Sequence, residues 1–118
     1  DQFSRNMFRG SAKAFAHDEL ALSLAQKAMS AGADKKLDGN KRHFLYMPFM
    51  HSESKKVHKK AFWLFLSLPV KNWKSWIVFE GKHKKIIDRF GRYPHRNEVL
   101  GRSSTAEEKE FLKNNPGF

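Results

Sequence analysis

The chain has 118 residues, 40% of them hydrophobic, with eleven Phe, three Trp and a formal charge of +11. That is one domain's length, able to bury roughly two-thirds of its unfolded surface, and the aromatic content excludes a disordered chain. The lack of Cys excludes disulfides, thiolate zinc sites and a cysteine nucleophile. The longest apolar run, Ala61 to Val70, falls short of the roughly 20 residues that span a bilayer, so a soluble cytoplasmic protein is expected.

Asp1 to Gly10 offers no helix cap and sets Arg5, Asn6 and Arg9 among Phe3, Met7 and Phe8, as though it continued an upstream element. Asp18 then reads as an N-cap, Leu20, Ala21, Leu24, Ala25, Ala28 and Met29 recur at helical spacing, and Gly32 stands at the C′ position. Together these predict an amphipathic helix. After a polar loop from Asp34 to Asn40, Phe44, Leu45, Met47, Phe49 and Met50 predict a buried helix from Lys41, broken or kinked near its end by Pro48.

Val57, Ala61, Leu64, Phe65 and Leu68 form the stripe of the next helix, with Lys55, Lys56, Lys59 and Lys60 opposite and Pro69 as its stop. Asn72 opens a helix carrying Trp73, Trp76, Ile77 and Phe79, then His83, Ile86, Ile87 and Phe90. Gly81 weakens it internally and Gly91 ends it. Thr105 and Glu108 form a capping box for a short helix from Ala106 to Leu112. No stretch of four residues alternates cleanly, so the expectation is an all-α compact bundle of four to five helices forming a single domain over residues 1–118.

Charge is concentrated. Residues 41–102 carry fifteen Lys and Arg against four acids, while the flanking segments are nearly balanced. Part of it is the lysine face, and part lies in a polar segment rich in Arg: Arg89, Arg92, His95, Arg96, Asn97 and Arg102, interrupted by Gly91, Tyr93-Pro94 and Gly101. Guanidinium is a rigid fork and ammonium a mobile point charge, so the two groups carry different meanings.

Asp1-Gln2-Phe3-Ser4-Arg5-Asn6 with Phe8-Arg9-Gly10, then Tyr46 to Glu53, Arg89 to Asn97 and Leu100 to Thr105, in that order, resemble the blocks of a bacterial family of uncharacterised proteins, domain of unknown function 924. The resemblance covers nearly the whole chain. It implies an all-helical, tetratricopeptide-repeat-like fold and no established activity. It also implies further helices upstream of the first block, so the expectation is that this chain is the C-terminal part of a longer domain with an open core face, available for self-association. Ser4 and Ala106 stand where the family usually or often has Pro, which helix position N1 tolerates.

The candidate chemistry has structural alternatives throughout. Arg92, His95, Arg96, Asn97 and Arg102, joined by Arg5, Asn6 and Arg9 if the two blocks meet, suit a small anionic ligand or an acidic peptide. The same forks equally suit a network that ties helix ends together. His51-Ser52-Glu53 lacks the Cys ligands of a zinc deaminase, and Ser52 and Glu53 read well as the start of the next helix. No Gly-x-Ser-x-Gly elbow marks Ser52 as a nucleophile.

His83, on an apolar stripe, reads as a core histidine, and Trp73 and Trp76 as core. Non-specific nucleic-acid binding through the lysine face has no accompanying recognition signature. The leading expectation is therefore an anion-binding module with no cofactor and no metal. A hydrolase using His51, Glu53 and His95 is the first alternative, and a nucleic-acid binder the second.

Overall fold

The computed structural model describes residues 2–117, with the side chains from Ser4 onward. Among the described residues there are six α-helices and no strand. They are α1 (Gln2–Met7), α2 (Asp18–Ser30), α3 (Gly39–Met50), α4 (Lys55–Leu66), α5 (Trp73–Phe90) and α6 (Ala106–Asn114). Short 3-10 turns at Ala12–Phe15, Ala33–Lys36 and Pro94–Arg96 join them. The all-α expectation holds, and the count exceeds four to five because residues 2–7 form a helix that no sequence punctuation marks.

Helices α2 to α5 pack in chain order around one core: Ala25 from α2, Tyr46, Phe49 and Met50 from α3, Ala61 and Phe65 from α4, and Leu68 beyond it. All but Tyr46 belong to the apolar sets read at helical spacing, and each removes apolar area from water at about 25 cal/mol per Å². Leu20, Leu24 and Phe44, read in the same sets, are instead exposed, because they lie on the outer faces of α2 and α3. Trp73 and Trp76 pack against the same core. Pro48 sits inside α3 without ending it; the helix runs on to Met50, and His51 closes it with a 3.0 Å bond to the Met47 carbonyl.

Glycine is required at position 39, because a Cβ there would collide with Val70 and lie 2.7 Å from the Pro69 carbonyl oxygen. Gly91 ends α5 in the left-handed region, at φ 73°.

The capping signals are partly displaced. Ser54, not Ser52, caps α4 through its hydroxyl. Asp18 is the first residue of α2, and its carboxylate is used elsewhere. The capping box of Thr105 and Glu108 forms as expected.

One side-chain set couples three elements. His58 of α4 and Glu80 of α5, both fully buried, meet at 2.6 Å. His58 Nε2 lies 2.7 Å from the Ser52 carbonyl and 3.0 Å from the Tyr93 hydroxyl, while that hydroxyl donates to the Met50 carbonyl at 2.5 Å. Since Ser52 offers only an acceptor, Nε2 carries a proton. Burial pushes the Glu80 carboxyl above its ordinary range despite His58.

Candidate functional site

The 94–96 turn faces α1 across α2. Arg5 of α1 grips Asp18 with both terminal nitrogens, at 2.7 and 2.9 Å. Arg96 approaches the same carboxylate at 3.4 Å and donates to the His51 carbonyl at 3.0 Å. The two guanidiniums share the ring of Phe15, at 5.0 and 4.5 Å, and Arg96 also lies 4.6 Å from the Tyr93 ring. Arg5 and Arg96, the latter 78 residues from Asp18, thus converge on one acid, and the first and last polar blocks of the chain meet.

Between them opens a cleft of about 400 Å³. Arg5, Asn6, Arg9, His51, His95 and Arg96 line it, which brings together six of the sequence-predicted site residues. Ala14, Phe15 and Tyr93 supply apolar wall, and His83 adds a third imidazole. Arg9 is exposed and has no hydrogen bond or ion pair with any described residue. Arg96 is 6% exposed, and its Nε–H finds no acceptor among the described residues.

All three imidazoles are held neutral near pH 7. Burial, with the positive charges of Arg5 and Arg96 behind it, pushes His51 down to about 3. Burial pushes His83 down to about 4, against a 2.7 Å bond from Nδ1 to the Phe79 carbonyl that fixes the proton on that nitrogen. Burial and then Arg96 push His95 down to about 4. Among the described residues no three His, Asp or Glu groups converge as a metal-ligand set.

Arg92, Asn97 and Arg102 stand behind this cleft and are engaged with protein partners. Arg92 forms a fork on Glu108 at 2.9 and 2.7 Å and reaches the Ser103 carbonyl. Asn97 donates to Glu108 and Ser104 and accepts from Arg102. Arg102 holds Glu53 with two 3.0 Å bonds and the Tyr93 carbonyl with a third.

Glu53 also accepts the Tyr93 N–H at 2.7 Å. Burial alone would raise its carboxyl, but these donors hold it below the usual range. Glu108 is pulled down to about 2, chiefly by the Arg92 fork. The Arg-rich segment is therefore divided: one set bolts α6 and the turn before α4 to the 94–96 turn, and the other faces the cleft.

A single family model, that of bacterial proteins of unknown function named DUF924, matches residues 1–116. The chain belongs to the DUF924 family. The solved structure of a protein of unknown function from Agrobacterium tumefaciens is 37% identical and superposes with a TM-score of 0.89 over 98% of this chain. The present chain spans 63% of that protein's length. No protein of curated function matches it. Among the described residues no helix is long and apolar enough to cross a membrane.

Sequence reasoning misses three contributors to this DUF924 cleft. Phe15 and Tyr93 carry no polar signal, and their role as partners of guanidinium rests on tertiary placement. His83 is buried, as a core histidine should be, yet it also lines the cleft. Its place on the Glu80–His83–Ile87 face of α5, all three buried, is the available signal, because that face mixes two titratable groups with a core residue.

Proposed function

We propose that the protein is a binding module for a small anionic ligand held in the cleft by Arg5, Arg9 and Arg96. The observation that carries this reading is an excess of guanidinium over carboxylate around one apolar-walled cleft, with one fork, Arg9, uncommitted among the described residues. Neutral imidazoles add hydrogen-bonding capacity without opposing charge. Arg92, Asn97 and Arg102 act from behind, by fixing the turn that carries His95 and Arg96. A cleft of about 400 Å³ suits a small molecule, and an acidic peptide would enter it only by one carboxylate side chain or its C-terminus. Such a ligand fits a cytoplasmic protein.

Hydrolytic chemistry through His51, Glu53 and His95 is the weaker reading. Imidazoles held near 3 and 4 are poor bases at neutral pH, and Glu53 is already taken by Arg102. The α4 lysines 55, 56, 59 and 60 are exposed on the outer side of the bundle, as a solvated face would be.

A thermal-shift panel of phosphorylated and carboxylated compounds with a short RNA, at low and moderate salt, tests the proposal. A ligand at 100 times its Kd adds about 2.7 kcal/mol, roughly 10 °C for a domain of this size. A shift by a small anion that survives salt supports the reading. A shift by RNA alone, vanishing with salt, moves the function to the lysines, and no shift removes it.

A further inference from the structure

The charges around the cleft do not balance. Asp18 is shared between Arg5 and Arg96, at 2.7 and 3.4 Å. Glu53 is held by the Arg102 fork and lies 3.9 Å from Arg96. Arg9 has no acid at all among the described residues. Among the described residues, four guanidiniums, Arg102 from behind the cleft, therefore stand against two carboxylates, a surplus of two positive charges.

Part of that surplus is buried. Arg96 is 6% exposed, sits between the rings of Phe15 and Tyr93, and keeps one buried N–H without an acceptor among the described residues. Burial of an incompletely neutralised guanidinium is costly, and an anion bound in the adjoining cleft would lower that cost.

We infer that the ligand of this cleft is a phosphate monoester held as its dianion. The inference rests on the anion-binding reading above and names its ligand. Two charges on one tetrahedral group match the surplus within the reach of Arg9 and Arg96, and guanidinium forks fit phosphate oxygens in pairs. A carboxylate would leave one charge unmet. The apolar wall of Ala14, Phe15 and Tyr93 takes the ester's organic group, because the cleft is larger than a phosphate alone.

The histidines do not supply the missing charge. His51 faces Arg5 of α1, Asp18 of α2, Arg96 and His83 of α5. His83 faces His51, His58 and His95, and His95 faces Arg96, Glu53, Arg5 and Arg102. Burial first, and then the arginines beside His51 and His95, keeps all three neutral until the pH approaches 4. Between pH 7.5 and 5.5 the ligand is thus the group that titrates, since a phosphate monoester takes up its second proton near pH 6.

The test is calorimetric titration of the 118-residue protein with methyl phosphate, methyl sulfate, acetate and succinate at constant ionic strength. Methyl sulfate has nearly the shape of methyl phosphate but a single charge. Methyl phosphate is expected to bind at least about tenfold more tightly at pH 7.5, since an extra unit charge beside guanidinium is worth at least that much. It should weaken about fourfold at pH 5.5, as its dianionic fraction falls, while methyl sulfate stays constant. In Arg9→Gln, an exposed change that leaves the fold intact, the preference should collapse.

Equal binding of the two esters overturns the dianion and leaves the anion-binding reading standing. Tighter binding of succinate or acetate overturns the phosphoryl class. Tightening of methyl phosphate on acidification places the charge on imidazolium and also overturns it. Binding by none of the four compounds removes the anion-binding reading and this inference with it.

Discussion

Arg102→Ala distinguishes the guanidiniums that hold the fold from those that face the cleft. Arg102 donates through Nε to Asn97 Oδ1, through both terminal nitrogens to Glu53, and once more to the Tyr93 carbonyl. Truncation leaves Glu53 with the Tyr93 N–H at 2.7 Å and a distant Arg96, and removes the Arg102 donor from Asn97 Oδ1 and the Tyr93 carbonyl. Breaking a fully buried pair costs about 3–5 kcal/mol. Arg102 and Glu53 are 27% and 25% exposed, so water recovers part of this, and about 2–3 kcal/mol is expected. With an unfolding entropy of about 2.1 cal/mol/K per residue, Tm should fall by roughly 8–12 °C. Differential scanning calorimetry at pH 7 measures this directly, with Arg9→Ala as the control that leaves Tm unchanged. A fall below about 2 °C for Arg102→Ala, or a larger fall for Arg9→Ala, refutes the division of the segment into bolt and cleft.

Three further outcomes follow from the same contacts. His58→Ala strands the buried Glu80 carboxyl and should cost about 3–5 kcal/mol, read as a loss of urea midpoint at unchanged slope. Gly39→Ala places a Cβ against Val70 and the Pro69 carbonyl and should cost about 1–3 kcal/mol in the same assay.

Stability should also fall with acid in two stages. His51, His83 and His95 have folded values near 3 to 4, below the unfolded 6.5, so the unfolded chain binds more protons and stability drops as pH falls from about 6.5. Glu53 and Glu108, held low in the fold, contribute stability above about 4.5 that is lost as pH falls toward 2. Glu80, raised by burial, works in the opposite sense, losing stability as pH rises through its folded value. A Tm that is flat from pH 7 to 4 contradicts the neutral-imidazole cluster.

The helical class is legible because the stripe of Val57, Ala61, Leu64, Phe65 and Leu68, the Gly91 stop and the Thr105–Glu108 capping box are local signals obeyed locally. Helix α1 is not legible, since no punctuation or apolar stripe in the sequence marks it. Asp18 has the chemistry of a cap, but its carboxylate is drawn to Arg5 and Arg96 and the helix starts on it instead.

In the site, the polar density of Arg89 to Arg102 is plain, but its division is not. Whether a guanidinium grips Glu53, Glu108 or the cleft depends on partners up to 78 residues away. The His58–Glu80 pair is hidden for the same reason. Each residue alone, among the lysines of its helix, looks like solvated surface, and only the packing of α4 on α5 makes the two a buried couple.

The most direct test of the central claim is an amide-resolved NMR titration of the labelled protein with inorganic phosphate at constant ionic strength. Shifts are expected at Asn6, Arg9, the 94–96 turn and the segment around His51 alone, and none in Arg9→Gln. Shifts spread along the α4 lysines, or none at millimolar phosphate, would contradict it.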